Sequence, residues 1–125
     1  MRTLLLGSLL ALTACTTEPE HATMNEMEHL PTWPEPGILN AIIEIPAGSA
    51  EKRQYDPVTG TFPIDLRNGP PRVIRFLPYP ANYGFIPSTR MNKEQGGDGD
   101  AVDVFVLCGA LPGGTVIQVE PIGII

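Results

Sequence analysis

The sequence predicts a mainly β domain, a small barrel or sandwich, on three observations. Proline (14) and glycine (13) together exceed a fifth of the 125 residues, which suits turns and short strands better than long helices. Apolar runs of strand length recur along the chain, each closed by a turn signal. The stretch "PYPANYGFIP" is barred from the helix, because Pro78, Pro80 and Pro87 lack donors and bias the residue before each to extended geometry.

The first fifteen residues stand apart from the fold. Met1-Arg2, the apolar run Leu4 to Leu12 and then Thr13-Ala14-Cys15 describe a secretory signal, and the apolar run is too short to span a bilayer. The cysteine after "LTA" resembles a bacterial lipoprotein box, so Cys15 is expected to be acylated and to hold the protein to the membrane, on the periplasmic or cell-envelope side. Residues 16–36, rich in glutamate and with four prolines, read as a flexible linker, with His21, His29, Met24 and Met27 as solvated side chains rather than a soft-metal site.

The domain is expected over 37–125. "ILNAIIEIP" is a strand closed by Pro46, with Glu44 as its one charge. "YDPVTGTF" turns at Asp56-Pro57 and Gly60, predicting a hairpin into Thr61 to Leu66. "RNGPP" is a second turn, followed by a strand from Arg72 to Leu77. Val102 to Leu107 predicts a short strand, central and buried because it is apolar on both faces, and Thr115 to Glu120 a last one after the turn "LPGG". Cys108, with no disulfide partner once Cys15 is acylated, reads as a small core residue. The end, "PIGII", is apolar with no polar terminus, which suggests the front part of a longer protein.

Charge narrows the function. A net charge of −6 argues against a nucleic-acid partner, since phosphates need a basic face. An acidic protein still binds an anionic substrate where a metal ion intervenes. In "GGDGDAVDVFVL", Asp98, Asp100 and Asp103 fall within six residues and no cation lies among them. Clustered carboxylates repel one another, and a hard divalent cation reverses that repulsion, because oxygen ligands suit magnesium or calcium. On a strand starting near Val102, Asp103 shares a face with Phe105 and Leu107, and the glycines let Asp98 and Asp100 curl to the same point. An EF-hand loop from Asp98 fails, because its twelfth position is Gly109. A glycine-rich β-roll repeat fails at Ala101. Tyr79, Asn82 and Tyr83 in the proline-rich stretch, with Lys52, Arg53, Arg72 and Arg75, add donors and cations suited to phosphoryl transfer.

"IEIPAGS", "NYGFIP" and "GGDGDAVDVFVL" together resemble the soluble inorganic pyrophosphatases of family I, whose aspartate–glycine–aspartate, two residues, aspartate–valine signature matches Asp98 to Val104. The resemblance runs from about Ile38 onward. It implies a small five-stranded OB-like barrel with the site at its mouth and magnesium-dependent hydrolysis of pyrophosphate to two phosphates, in a protein that is homo-oligomeric at full length and in a family that is mostly cytoplasmic. It implies metal ligation by Asp98, Asp103 and Glu44, and Asp100 as the group that orients and deprotonates the attacking water. It implies Tyr83 and Tyr79 as phosphate and neighbouring donors, and Lys52 and Arg72 as the cations that hold the substrate. Where the family commonly reads lysine–tyrosine–glutamate this chain has Lys52-Arg53-Gln54, so Arg53 is an alternative to Lys52, and Arg67 and Arg75 are alternatives to Arg72. The resemblance also implies that further metal aspartates, a catalytic lysine and a tyrosine–lysine pair follow Ile125. The alternative function is a non-catalytic lipoprotein whose OB-like barrel binds a metal or a phosphorylated ligand.

Overall fold

The computed structural model describes residues 24–125, so the expected signal, Cys15 and the first part of the expected linker lie outside the described residues. Four strands form one antiparallel sheet: β1 (Leu39–Ile45), β2 (Asn82–Ile86), β3 (Val102–Val106) and β4 (Val116–Val119), in the order β3-β2-β1-β4. The mainly β class holds. β1 is buried along its whole length and forms the spine, as expected of an apolar run interrupted by a single charge.

Register decides which face each side chain joins. Ile42 pairs with Phe85, and Phe85 with Asp103, while Tyr83 pairs with Phe105. Ile42, Tyr83, Phe85, Asp103 and Phe105 therefore share one face, as the alternation at Asp103 and Phe105 anticipated. Ala41, Ile43, Val104 and Val106 pack on the other with Ile117 and Val119. The β1–β2 register slips between Ile43 and Ile45, which makes Glu44 the extra residue of a bulge. Gly84 is obligatory at this crossing, because a Cβ there would fall inside the van der Waals radius of the Ile42 carbonyl oxygen.

Several expectations need correction. The stretch 78–87 is extended as expected, and its centre forms a strand that was not expected, β2, central in the sheet. Pro80 and Pro87 stand just outside Asn82–Ile86, so no ladder donor is lost. β3 was expected to be central and buried, yet it is an edge strand of this sheet, with Val106 its one buried residue. Its Asp103 and Phe105 face solvent on the side where the cleft lies. The strands expected at 61–66 and 72–77 are reduced to isolated bridges, Arg53↔Ile64, Glu51↔Val73 and Leu66↔Pro71, in a ribbon that folds back on residues 50–54. Pro63, Pro70 and Pro71 lack the N–H groups that a continuous ladder requires. Cys108 is exposed, since it lies past the end of β3 in a loop.

The expected linker is also partly overturned. From Met24 to His29 the chain forms a 3-10 turn, and Met27 is buried against Ile42 and Phe85 with Leu30, Tyr55 and Phe62 around it. Met27 and Leu30 are the apolar contacts that join this segment to the core.

Candidate functional site

Above the face that carries Tyr83, Phe85 and Asp103 lies an open cleft of about 720 Å³. Glu44 from the β1 bulge and Tyr83, Phe85 and Asp103 from the sheet line its floor; the ribbon supplies Lys52, Gln54, Asp65 and Arg72; the loop before β3 supplies Asp98 and Asp100. All but one of the residues expected at the site thus meet at one cleft. The exception, Tyr79, lies behind, its ring 5.3 Å from that of Tyr83.

The loop 92–101 is built from its own backbone. Asn92 Oδ1 accepts from the Glu94 N–H at 2.9 Å, and the Met91 N–H donates to the Asp100 carbonyl at 2.7 Å, tying the two arms of the loop together. Gly99 has φ +93°, a left-handed backbone that admits glycine readily, and a Cβ there would also strike the Lys93 side chain.

The three aspartates were expected to curl to a single point. They line one wall instead: among the described residues no group of three or more acidic, histidine or cysteine side chains is close enough to surround a metal ion. Local hydrogen bonding accounts for the spread. Asp98 Oδ1 is turned back to accept the Asp100 N–H at 2.9 Å, and the Asp103 carboxylate accepts from the Tyr83 hydroxyl. The donor chemistry nevertheless fits a hard divalent cation, because Glu44, Asp98, Asp100 and Asp103 all present carboxylates to the same cleft.

Burial pushes the Glu44 carboxyl above its ordinary 4.5, and the charges of Asp103 and Asp100 push the same way. The Tyr55 N–H, which donates to Glu44 Oε1 at 2.7 Å, and the charge of Lys52 oppose the rise. Tyr83 is held well above the ordinary phenol range, first by burial and then by its bond to Asp103, so it stays a donor. Burial also raises Tyr79, against the charge of Arg72.

Placement separates the cations. Lys52 lines the cleft with its Nζ 6.0 Å from the centre of the Tyr83 ring. Arg53, one residue on, is turned away: it donates to Glu51 Oε2 at 3.0 Å and to the Phe62 carbonyl at 3.1 Å. Arg72 lines the cleft and donates to Asp65 Oδ2 at 3.3 Å, whereas Arg67 and Arg75 are not among the lining residues. Asn82, grouped with the tyrosines in the sequence, alternates to the opposite face and is fully buried. Asp65, Glu28 and His29 line the cleft without having been expected there. Asp65 was findable, as the one carboxylate in the ribbon arm facing Arg72; Glu28 and His29 fell in the stretch read as a solvated linker.

The chain is thus a mainly β protein whose cleft sets four carboxylates against two cations and a phenol. The model of the inorganic pyrophosphatase family matches residues 41–125, and the chain belongs to that family. It is 41% identical over 92 residues to an inorganic pyrophosphatase of Sulfolobus acidocaldarius, covering 72% of this chain and 47% of that protein. It is 36% identical over 109 residues to the enzyme of that name from Thermus thermophilus, covering 82% of this chain and 54% of the relative. The crystal structure of a Thermus thermophilus inorganic pyrophosphatase superposes with a TM-score of 0.62 at 36% identity, covering 76% of this chain and 50% of the other. The chain spans about half the length of the curated relatives it matches.

Proposed function

We propose that the protein hydrolyses pyrophosphate to two phosphates with magnesium. The observation that carries this reading is the meeting of Glu44, Asp98, Asp100 and Asp103 with Lys52, Arg72 and Tyr83 at one cleft in a chain of the inorganic pyrophosphatase family. Asp98, Asp103 and Glu44 would hold the metal, which when bound supplies the positive charge that neutralises phosphate oxygens and acidifies water nearby. Lys52 and Arg72 bind and orient the anionic substrate, Arg72 as a planar fork and Lys52 as a point charge. Tyr83 donates its hydroxyl, and the tilted contact of its ring with that of Tyr79 at 5.3 Å supports its position. Asp100 is exposed on the loop and takes the proton of the attacking water.

The test is release of phosphate from pyrophosphate by the whole purified protein with magnesium and with the metal chelated. Turnover that stops on chelation and returns with added magnesium is expected. Magnesium-independent turnover, or none in either condition, removes the reading. The protein is further proposed to be lipid-anchored through Cys15 on the envelope side of the membrane and to form homo-oligomers. A basic start, a short apolar run and "LTA" before Cys15 support the anchor. Mass spectrometry of the N-terminal peptide tests it, and an unmodified Met1 or a free Cys15 thiol would refute it. Light scattering of the whole protein reads the assembly, and a monomeric mass refutes that part.

A further inference from the structure

The family match begins at residue 41, yet the segment ahead of it reaches the cleft. Glu28 and His29 form part of the lining beside Ser88, Arg90 and the acidic loop. The segment is clasped to the end of β2 by a run of bonds. The Ser88 N–H donates to the Glu28 carbonyl at 3.0 Å, and Ser88 Oγ donates to the Leu30 carbonyl at 2.7 Å. Thr32 Oγ1 donates to the Pro87 carbonyl at 2.8 Å. Met27 seats the other end in the core against Ile42 and Phe85.

Ser88 has φ +54°, a left-handed conformation uncommon for a residue other than glycine, and such a conformation persists where its surroundings over-determine it. The surroundings here are the two carbonyls of the N-terminal segment. The next residue passes the constraint on: Thr89 Oγ1 donates to the Ile86 carbonyl at 2.6 Å and accepts the Val102 N–H at 2.9 Å. Two residues further, the Met91 N–H donates to the Asp100 carbonyl at 2.7 Å. Val102 and Asp100 flank Ala101 in the acidic loop itself, with Asp98 before them and Asp103 after.

We infer that residues 27–32 are a strap that positions the acidic loop, with Ser88 and Thr89 as the positioning residues that transmit its hold. The cation affinity of the cleft then depends on residues that precede the family domain. This rests on the metal-dependent reading above. The strap's own bonds run to Pro87 and Ser88 and, through the Thr32 and Pro31 carbonyls, to Asn40 of β1; its hold passes to the carboxylate loop through Thr89 and Met91, which separates a positioning role from a purely stabilising one.

The experiment measures magnesium binding by isothermal titration calorimetry, and the magnesium dependence of pyrophosphate turnover, for the whole protein. The variants are Ser88→Ala, Thr89→Val and, as a control remote from the loop, Thr59→Ala. Ser88→Ala is expected to weaken magnesium binding about tenfold, the lower end of what is lost when groups supporting metal ligands are removed. Half-maximal turnover should need about tenfold more magnesium in that variant, with kcat at saturating metal unchanged. Thr89→Val, which cuts the same relay one residue on, should do likewise, and Thr59→Ala should bind as the wild type does. Wild-type affinity in both relay variants overturns the inference alone, and so does an equal loss in the Thr59→Ala control. A wild type that neither binds magnesium nor hydrolyses pyrophosphate overturns the functional reading, and the strap's role in it falls as well.

Discussion

Removing the Asn82 side chain should cost the fold a large fraction of its stability. Asn82 is fully buried on the face opposite the cleft. Its Oδ1 accepts from the Ala47 N–H at 3.0 Å and from the Leu111 N–H at 2.8 Å, and its Nδ2 donates to the Gly109 carbonyl at 2.9 Å. Longer contacts reach the Val106 carbonyl and Cys108 Sγ, both at 3.4 Å. One amide thus ties the end of β1 to the loop that follows β3. Asn82→Ala leaves three partly buried backbone groups without partners, at about 1 kcal/mol each, so roughly 3 kcal/mol is lost in all. That is a large fraction of the ~5–15 kcal/mol that a domain ordinarily has. With a urea dependence of about 1.5 kcal/mol per molar, the unfolding midpoint should fall by about 2 M. Asn82→Asp keeps both acceptor roles but sets a carboxylate oxygen against the Gly109 carbonyl, so it should be no milder, and worse as pH rises. Urea unfolding followed by circular dichroism is the assay. A midpoint within 0.5 M of wild type (about 0.75 kcal/mol at that slope) for Asn82→Ala would mean that the loop holds itself and the hub reasoning is wrong.

Other substitutions probe other levels. Gly84→Ala forces a methyl into the Ile42 carbonyl and should destabilise by more than about 3 kcal/mol, read as loss of soluble folded protein; a variant that unfolds like wild type would contradict the β1–β2 register. Asp56 is held below its ordinary 3.8, first by the Thr59 hydroxyl and then by the Val58 N–H. Its folded-state value is depressed, so its contribution to stability is present above that ordinary value and is lost as pH falls through the lowered one. Thr59→Ala should move the Asp56 carboxyl resonance midpoint back towards 3.8 in an NMR titration, and an unmoved midpoint would discount the hydroxyl. Tyr83→Phe keeps the ring contacts with Tyr79 and Phe105 but loses the hydroxyl that bonds Asp103, so pyrophosphate turnover should fall about tenfold, ~1.4 kcal/mol, with little change in thermal midpoint. Unchanged turnover would remove Tyr83 from the reaction.

The spacing of Asp98, Asp100 and Asp103 was the most informative stretch of the sequence, because carboxylates so close need a common purpose and period-two alternation fixes the face of Asp103. Glu44 was legible for the same reason, as a lone charge in a buried run, though its bulge was not: a bulge is a property of the pairing and leaves no mark on one strand. β2 was hidden by the prolines that flank it, since a strand between two prolines reads as irregular until the partner strands are known. β3 looked central because Val104 to Leu107 is apolar on both faces, yet Phe105 belongs to the cleft face and packs edge-on against Tyr83 at 5.4 Å. Met27 left no periodic signal, so a segment rich in glutamate and proline read as solvated although Met27 is seated in the core. The choice between Lys52 and Arg53, and among the arginines of the ribbon, depends on which way an extended chain turns its side chains, and only the fold supplies that.

The central claim is that water, deprotonated at Asp100, attacks pyrophosphate held in this cleft. Turnover of the whole protein with magnesium in water enriched in oxygen-18, followed by mass analysis of the phosphate, tests it most directly. One labelled oxygen should enter for every two phosphates formed, and Asp100→Asn should slow its appearance by at least about a hundredfold, the lower end of what a positioned general base contributes. Labelled phosphate appearing equally fast with Asp100→Asn, or no phosphate from the wild type, would contradict the account.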